Sequence, residues 1–543
     1  MLQLQNGGIM RKFGSVVVLL MLTLSACGSP SYADWLDEYR QQEISWGSCD
    51  AELFEDSEYF DPNFKTTDVK CATIKVPISY DESLNSEDIT LQLMLDPAKD
   101  TQRQGALFSN PGGPGQSGIS YIQSVAYPKS IRDAYDIIGF DPRGVGASTP
   151  VKCDDDLDLR SYFEYYFDHK NQSQVDEDRK ASKEYYEDCL ENNPHWWGMT
   201  TDNTVRDIDI MRQVISGDDP LNFIGHSYGT TLAARYIALF PKHVGRMILD
   251  SPVTANTESI QEEIESAKSL LEARNRLFDK CAKDPKCPGS SRAQIENNLI
   301  KARDLMLKGK MQGYIATQVE DGFFERGNGT SPYLVIRAIV YLTYFPLDDA
   351  YPTFKMIYRD LVLKNDPWGF ESAGLIMDGY DMTDLSRDNS YDILNLVNCL
   401  DRDERDTRTQ SEIEKEEKQL SKIDKFENRF LDVYDFEPTP EPEPGCFWTW
   451  RAYEDENIPD PPSSEPALEN TSGKKVFIVG SKGDNVTPYT WSKQVAASLK
   501  SDLITYEGTG HAVLFGDIKC LDDLAENYLL TGKLPDGPVS CSK

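Results

Sequence analysis

The sequence predicts an α/β fold, a mostly parallel sheet interrupted by a large helical insertion. Three observations carry that expectation. Short apolar runs bounded by Gly, Pro or Asp recur at 106–109, 136–141, 221–225 and 246–250, and continuous runs of this kind suit parallel strands covered on both faces. Helix-period segments lie between them; in 205–214 Val205, Ile208, Met211 and Val214 share one face. The strand pattern stops near residue 255 and returns at KVFIVG (475–480) and DLITYEG (502–508).

Taken in order, the chain opens with an address. Residues 15–24 (SVVVLLMLTL) are apolar and follow Arg11 and Lys12, the layout of a secretory signal and too short to span a bilayer comfortably. The run ends in Leu24, Ser25, Ala26 and Cys27, which resembles a bacterial lipobox. Residues 1–26 are then a removable signal, and Cys27 becomes the lipidated first residue. Acyl chains there would hold an exported protein at the cell envelope through lipid alone. Residues 27–71 form an N-terminal arm.

Cysteine usage agrees with export: 11 cysteines leave an even number once Cys27 is set aside, as an oxidising compartment favours. Chain order suggests Cys49–Cys71, Cys153–Cys189, Cys281–Cys287, Cys399–Cys446 and Cys520–Cys541, although spacing does not fix connectivity.

The sheet is expected in two parts, 72–255 and 464–543, the first entered through short alternating strands within 72–98. The insertion, 256–463, reads as mostly helical. Ile260, Ile264, Leu270 and Leu271 lie near helical spacing, as do Ile295, Leu299, Ala302 and Leu305. Residues 409–430 are highly charged, with a thin apolar stripe of Ile413, Leu420, Ile423 and Phe426. EPTPEPEPG (437–445) reads as a stiff acidic loop. A hydrophobic content of 39% can fill a large core, and 56 Lys and Arg against 90 Asp and Glu give a net charge of −34. Such a chain repels phosphate backbones, so nucleic acid is not an expected partner.

Chemistry enters at Gly225-His226-Ser227-Tyr228-Gly229, a G-x-S-x-G sequence between the run 221–225 and a helical segment from Thr230 to Leu239. A sharp strand-to-helix turn of this kind needs small flanking residues, and it lifts a serine hydroxyl to the carboxyl edge of the sheet. A nucleophilic serine also needs a base and an orienting acid. Of five histidines, His226 lies inside the turn, His243 in a PKHVG turn, and His169 and His195 in a stretch without a motif. His511, in Gly508-Thr509-Gly510-His511 after the run 502–508, is the candidate base. Asp484, in GDNVTP (483–488) after the run 475–480, is the candidate acid. The order Ser227, Asp484, His511 is that of α/β-hydrolases.

NPGGPG (110–115) follows the run 106–109, and its Gly113 N–H could join that of Tyr228 in an oxyanion hole. The same loop also spells G-x-G-x-x-G through Gly113, Gly115 and Gly118, with Asp141 ending a later strand, as in dinucleotide folds. Against that rival, Pro114 removes an amide donor from the supposed phosphate cradle. No Walker A, H-E-x-x-H or EF-hand pattern occurs, so no metal and no other cofactor is expected.

As a set, NPGGPG, GFDPRGVGAS (139–148), GHSYGT (225–230), GDNVTP and GTGH (508–511) resemble the secreted tripeptidyl and prolyl aminopeptidase branch of the α/β-hydrolases. The segments SWGSC (45–49), CATIKVPISY (71–80) and LVNCLDRD (396–403) and the tail from Cys520 to Cys541 resemble it as well. The resemblance implies an α/β-hydrolase fold with a large helical cap and release of short pieces from peptides with a free N-terminus. Within LVNCLDRD, Asp401 is the candidate partner of the substrate ammonium, a solvated helix-end charge being the alternative. An esterase or lipase on the same triad, and a silent peptide-binding surface lipoprotein, are the competing functions.

Overall fold

The structure, a computed structural model, describes residues 35–54, 60–84, 87–153, 189–254, 260–311, 331–382, 387–401, 418–431 and 472–543, with isolated residues between these stretches. The signal, Cys27 and the acidic proline-rich loop lie outside them.

Nine strands form one sheet: β1 (Lys70–Pro77), β2 (Asp88–Asp96), β3 (Ala106–Asn110), β4 (Asp136–Phe140), β5 (Leu221–His226), β6 (Val244–Asp250), β7 (Phe477–Gly483), β8 (Leu503–Thr509) and β9 (Val539–Cys541). Their spatial order is β1-β2-β4-β3-β5-β6-β7-β8-β9. β1, β2 and β4 pair antiparallel, and every pairing from β4 onward is parallel. The expected strands are all present. Those at the centre are buried on both faces: β3 and β4 have no exposed residue, because helices cover both sides.

On one face, α1 (Thr201–Ser216) buries Val205, Ile208 and Met211, with Val214 packed partly against the same core. Beside it α2 (Tyr228–Leu239) turns Ala233, Ala234 and Ile237 inward. Arg143, from the GFDPRGVGAS segment, lies buried beneath α1. Its guanidinium grips the Asp207 carboxylate at 2.6 and 2.8 Å and donates to the carbonyls of Pro77, Ile78 and Gly198. A fork so fully satisfied offsets its own desolvation and ties the β1 end to α1.

Between β6 and β7 the described residues are mostly helical, as expected: α3 (Ile260–Lys283), α4 (Arg292–Met306), α5 (Pro332–Thr343), α6 (Leu347–Lys364), α7 (Trp368–Met377), α8 (Ser390–Leu400) and α9 (Lys425–Leu431), with one short hairpin of Thr317–Gln318 against Phe324–Glu325. All these helices but α8 share a separate apolar core built on Phe278, Phe354, Phe370 and Phe430, while α8 packs Ile393, Leu396, Val397 and Leu400 onto the core of the sheet. In α4, Ile295, Leu299 and Ala302 face that core. In α3 the emphasis differs from the sequence reading: Ile260, Ile264, Leu270 and Leu271 are only half-buried, while Ala273, Leu277, Phe278 and Cys281 are enclosed. Among the described residues the first half of α3 is the less enclosed.

Disulfides join Cys49–Cys71, Cys153–Cys189, Cys281–Cys287 and Cys520–Cys541. Cys399 is also disulfide-bonded; Cys446, its expected partner, lies outside the described residues.

Candidate active site

Four adjacent strands bring the site together, because β5, β6, β7 and β8 run parallel and end on the same edge. Ser227 follows β5, Ser251 follows β6, Asp484 follows β7 and His511 lies just past β8.

Ser227 sits at φ 52° and ψ −125°, at the head of α2. For a residue with a side chain that backbone costs on the order of 1–3 kcal/mol, so the surroundings must impose it. They do so through backbone contact. A Cβ at Gly225 would fall 2.2 Å from the Gly229 carbonyl oxygen, and one at Gly229 would fall 2.6 Å from that of Asn110. The motif's glycines are therefore steric requirements of the turn. The Ser227 N–H donates to the Asp250 carbonyl at 3.0 Å, fixing the elbow to the end of β6.

The NPGGPG loop closes on this elbow through a residue that sequence reasoning passed over. At Gly112 (φ 105°) a Cβ would lie 2.6 Å from the His226 carbonyl oxygen and 3.0 Å from Ser227 Cβ and Tyr228 N. Only glycine allows so close an approach. The Gly112 N–H is engaged with Asn110 Oδ1 at 3.0 Å. Among the described residues no hydrogen bond occupies the N–H groups of Gly113 or Tyr228. Of the two amides expected to face an oxyanion, that of Tyr228 lies in the elbow, and that of Gly113 follows the glycine in contact with it.

The dinucleotide alternative finds no acceptor. Asp141 spends its carboxylate on Ser117 Oγ at 2.5 Å and on the Ala147 N–H at 2.9 Å. A Cβ at Gly115 would strike the Ser390 carbonyl, so this glycine receives the insertion rather than a phosphate.

Asp484 and His511 meet as expected. The imidazole Nδ1 lies 3.1 and 3.0 Å from the two carboxylate oxygens. Asp484 also accepts the N–H groups of Val486 and Thr487 and the Thr487 hydroxyl, each at 2.9 Å. These donors fix the carboxylate with its oxygens aimed at Nδ1, and among the described residues Nε2 carries no hydrogen bond. Burial works against the charged imidazole. The charge and hydrogen bond of Asp484, with Asp250 adding, nonetheless leave the His511 pKa above its ordinary value.

The histidine loop is fastened by side chains of neighbouring strands and by the insertion. Its Ala512 N–H donates to Ser251 Oγ at 2.8 Å, and its Leu514 N–H to Asp250 Oδ2 at 2.8 Å. The His511 N–H donates to the Tyr344 carbonyl at 2.8 Å, and the Tyr344 ring meets the imidazole edge-on at 5.5 Å. Ser227 and His511 therefore share one anchor, the end of β6. Among the described residues no hydrogen bond joins the Ser227 hydroxyl to the imidazole, a contact that in unliganded sites often tightens only with substrate.

Asp401 caps α8 and is not a solvated helix-end charge. It accepts the Thr201 N–H at 2.9 Å and the Thr201 hydroxyl, and Thr201 Oγ1 also meets the Tyr228 hydroxyl. Burial pushes the Asp401 carboxyl up to about 7, outweighing the two bonds from Thr201; nearby Asp202 pushes the same way and Arg235 against it. The sequence held no signal for Thr201, which links this carboxyl to the residue after Ser227.

Residues 105–300 match the family model for the alpha/beta hydrolase fold, and residues 445–541 match the model described as TAP-like protein. The chain has the α/β-hydrolase fold and is a serine hydrolase. Among named proteins it is similar to the serine protease Hip1 of Mycobacterium tuberculosis, 27% identical, with 87% of each chain covered. It is 28% identical to the tripeptidyl aminopeptidase of Streptomyces lividans, covering 87% of this chain and 84% of that one. It is also 27% identical to carboxylesterase B of Mycobacterium tuberculosis, covering 92% and 90%.

Proposed function

We propose that the chain is a serine exopeptidase that releases short peptides from free N-termini and forms an acyl-enzyme on Ser227. The observation that carries this reading is the Asp484–His511 pair, bonded at 3.0 Å and anchored on the same strand end as the Ser227 elbow. Similarity to a tripeptidyl aminopeptidase and a serine protease over most of the chain supports a peptide substrate.

In this reading neutral His511 takes the Ser227 proton through Nε2 as Oγ attacks the scissile carbonyl, and Asp484 stabilises the resulting imidazolium. The N–H groups of Gly113 and Tyr228 receive the oxyanion. His511 then protonates the leaving amine. Water, deprotonated by His511, cleaves the acyl-serine and restores the hydroxyl. Asp401 pairs with the peptide's α-ammonium. Burial pushes its carboxyl up to about 7, so an arriving cation favours the anion, and a low local dielectric strengthens the pair. The same proposal places the mature chain at the bacterial envelope, tethered at Cys27.

Carboxylesterase B among the similar proteins favours ester hydrolysis on the same residues as the second reading. Chromogenic tripeptides with free and acetylated N-termini, beside p-nitrophenyl esters, separate the two. Free-amine peptides are expected to turn over and acetylated ones to fail; Asp401→Asn should cost free-amine peptides at least about tenfold in kcat/KM. Equal turnover of both peptides removes the aminopeptidase claim, and ester turnover without peptide cleavage installs the second reading. Fluorophosphonate labelling that is absent in wild type, as in Ser227→Ala, would leave a silent binding protein.

A further inference from the structure

A second histidine–carboxylate pair lies directly beneath the elbow. His226 and Asp250 are 1% and 0% exposed. His226 Nδ1 is 3.1 Å from Asp250 Oδ2, and its Nε2 is 2.7 Å from the Tyr121 hydroxyl. A carboxylate accepts, so Nδ1 carries the proton; Nε2 then accepts from Tyr121 O–H. The result is a directional chain, Tyr121 to His226 to Asp250. Its members belong to the helix after the NPGGPG loop (Gly118–Ser124), to the residue before Ser227 and to the end of β6. Asp250 Oδ2 also accepts the Leu514 N–H of the histidine loop.

That loop needs fastening. Ala512, Phe515 and Asp517 all hold positive φ, as do Ser227 and Ser251. Such residues persist only where neighbours over-determine them. The neighbours are Ser251 Oγ on Ala512, Asp250 Oδ2 on Leu514 and Asp522 Oδ1 on Phe515. Asp250 makes no ion pair with Arg or Lys among the described residues, and its Oδ1 is buried without a hydrogen-bond partner. A buried carboxylate with no Arg or Lys beside it projects its charge onto groups that titrate nearby, His511 among them.

We infer that Asp250, held by His226 and Tyr121, is a positioning residue for His511: it seats the histidine loop against the elbow and lends the imidazolium a second negative charge. The inference rests on the reading of Ser227, Asp484 and His511 as the reacting set. His511 is faced by Asp484 from β7, Asp250 from β6 and the Tyr344 ring from the insertion. Asp250 in turn faces His226, Tyr121 and Asp522, and Asp517 lies by Asp522.

The test is Asp250→Asn in the full chain, which keeps the shape and an acceptor oxygen but removes the charge. Expected are a loss of about 10- to 100-fold in kcat with little change in KM, and an acid limb of kcat/KM displaced to lower pH. Ser251→Ala removes a neutral anchor from the same loop and should lower kcat without moving the limb. A wild-type limb and kcat in Asp250→Asn overturn the inference. If that variant does not fold, Tyr121→Phe decides: a loss of about two- to fivefold in kcat at constant KM supports the chain, and wild-type kcat refutes it. A wild type inert toward every peptide and ester would sink the reading of the site, a different failure.

Discussion

Two histidine–carboxylate pairs stand on neighbouring strand ends, and they differ in what occupies the second ring nitrogen. In the Asp484–His511 pair, Nδ1 meets the carboxylate and Nε2 carries no hydrogen bond among the described residues. In the Asp250–His226 pair both nitrogens are used, Nε2 by a tyrosine hydroxyl. An imidazole with a spare nitrogen can move a proton; one held at both ends can only hold its neighbours in place. The same two residue types thus serve opposite purposes, and a single hydroxyl decides which.

Replacing the spare-nitrogen histidine should be the severest change. His511→Ala is expected to lower kcat/KM by on the order of 10⁵ or more, read from peptide or ester turnover with the fold checked by circular dichroism. Asp484→Asn should follow at about 10³–10⁴ in kcat, since the amide favours the wrong tautomer. For the closed pair the order of effects reverses. His226→Ala strips Asp250 of its hydrogen-bond donor in the interior, so it should destabilise the fold by roughly 1–3 kcal/mol in urea unfolding. Its loss of turnover per folded molecule should stay far below that of His511→Ala. If the two alanine variants lose activity equally, the distinction between the pairs collapses.

The mildest effect is one of pH. The base must be neutral, and the His511 pKa is raised above 6.5. Activity is therefore lost as pH falls through a value higher than that of an ordinary histidine. Stability runs the other way: the raised pKa adds stability fully present below the unfolded pKa and lost as pH rises through the folded one. A kcat/KM profile and urea midpoints taken over the same pH range check both signs. An acid limb at or below the ordinary histidine value would contradict the geometry.

Much of this was legible in the residues, and the reasons are physical. Gly225 and Gly229 announce an elbow because backbone contact forbids any side chain there. His511 emerges by elimination from five histidines. Asp250 was invisible, because an Asp closing an apolar run looks like any strand end until a loop 264 residues away donates to it. Gly112 hid behind its neighbour Gly113: which of two adjacent glycines faces the elbow depends on loop shape, not on composition. In the insertion, helical periodicity exposed the helices but not which half of α3 would find neighbours.

The bond from the His511 N–H to the Tyr344 carbonyl has a practical consequence. Tyr344 belongs to the insertion, so a chimaera carrying a foreign insertion would also replace the backbone that supports His511. Asn485 reaching Thr343, and Leu347 reaching Thr509, add to that seam. Under the proposed reading, an insertion exchanged to redirect substrate choice would disturb turnover as well, and such transplants should be judged on both.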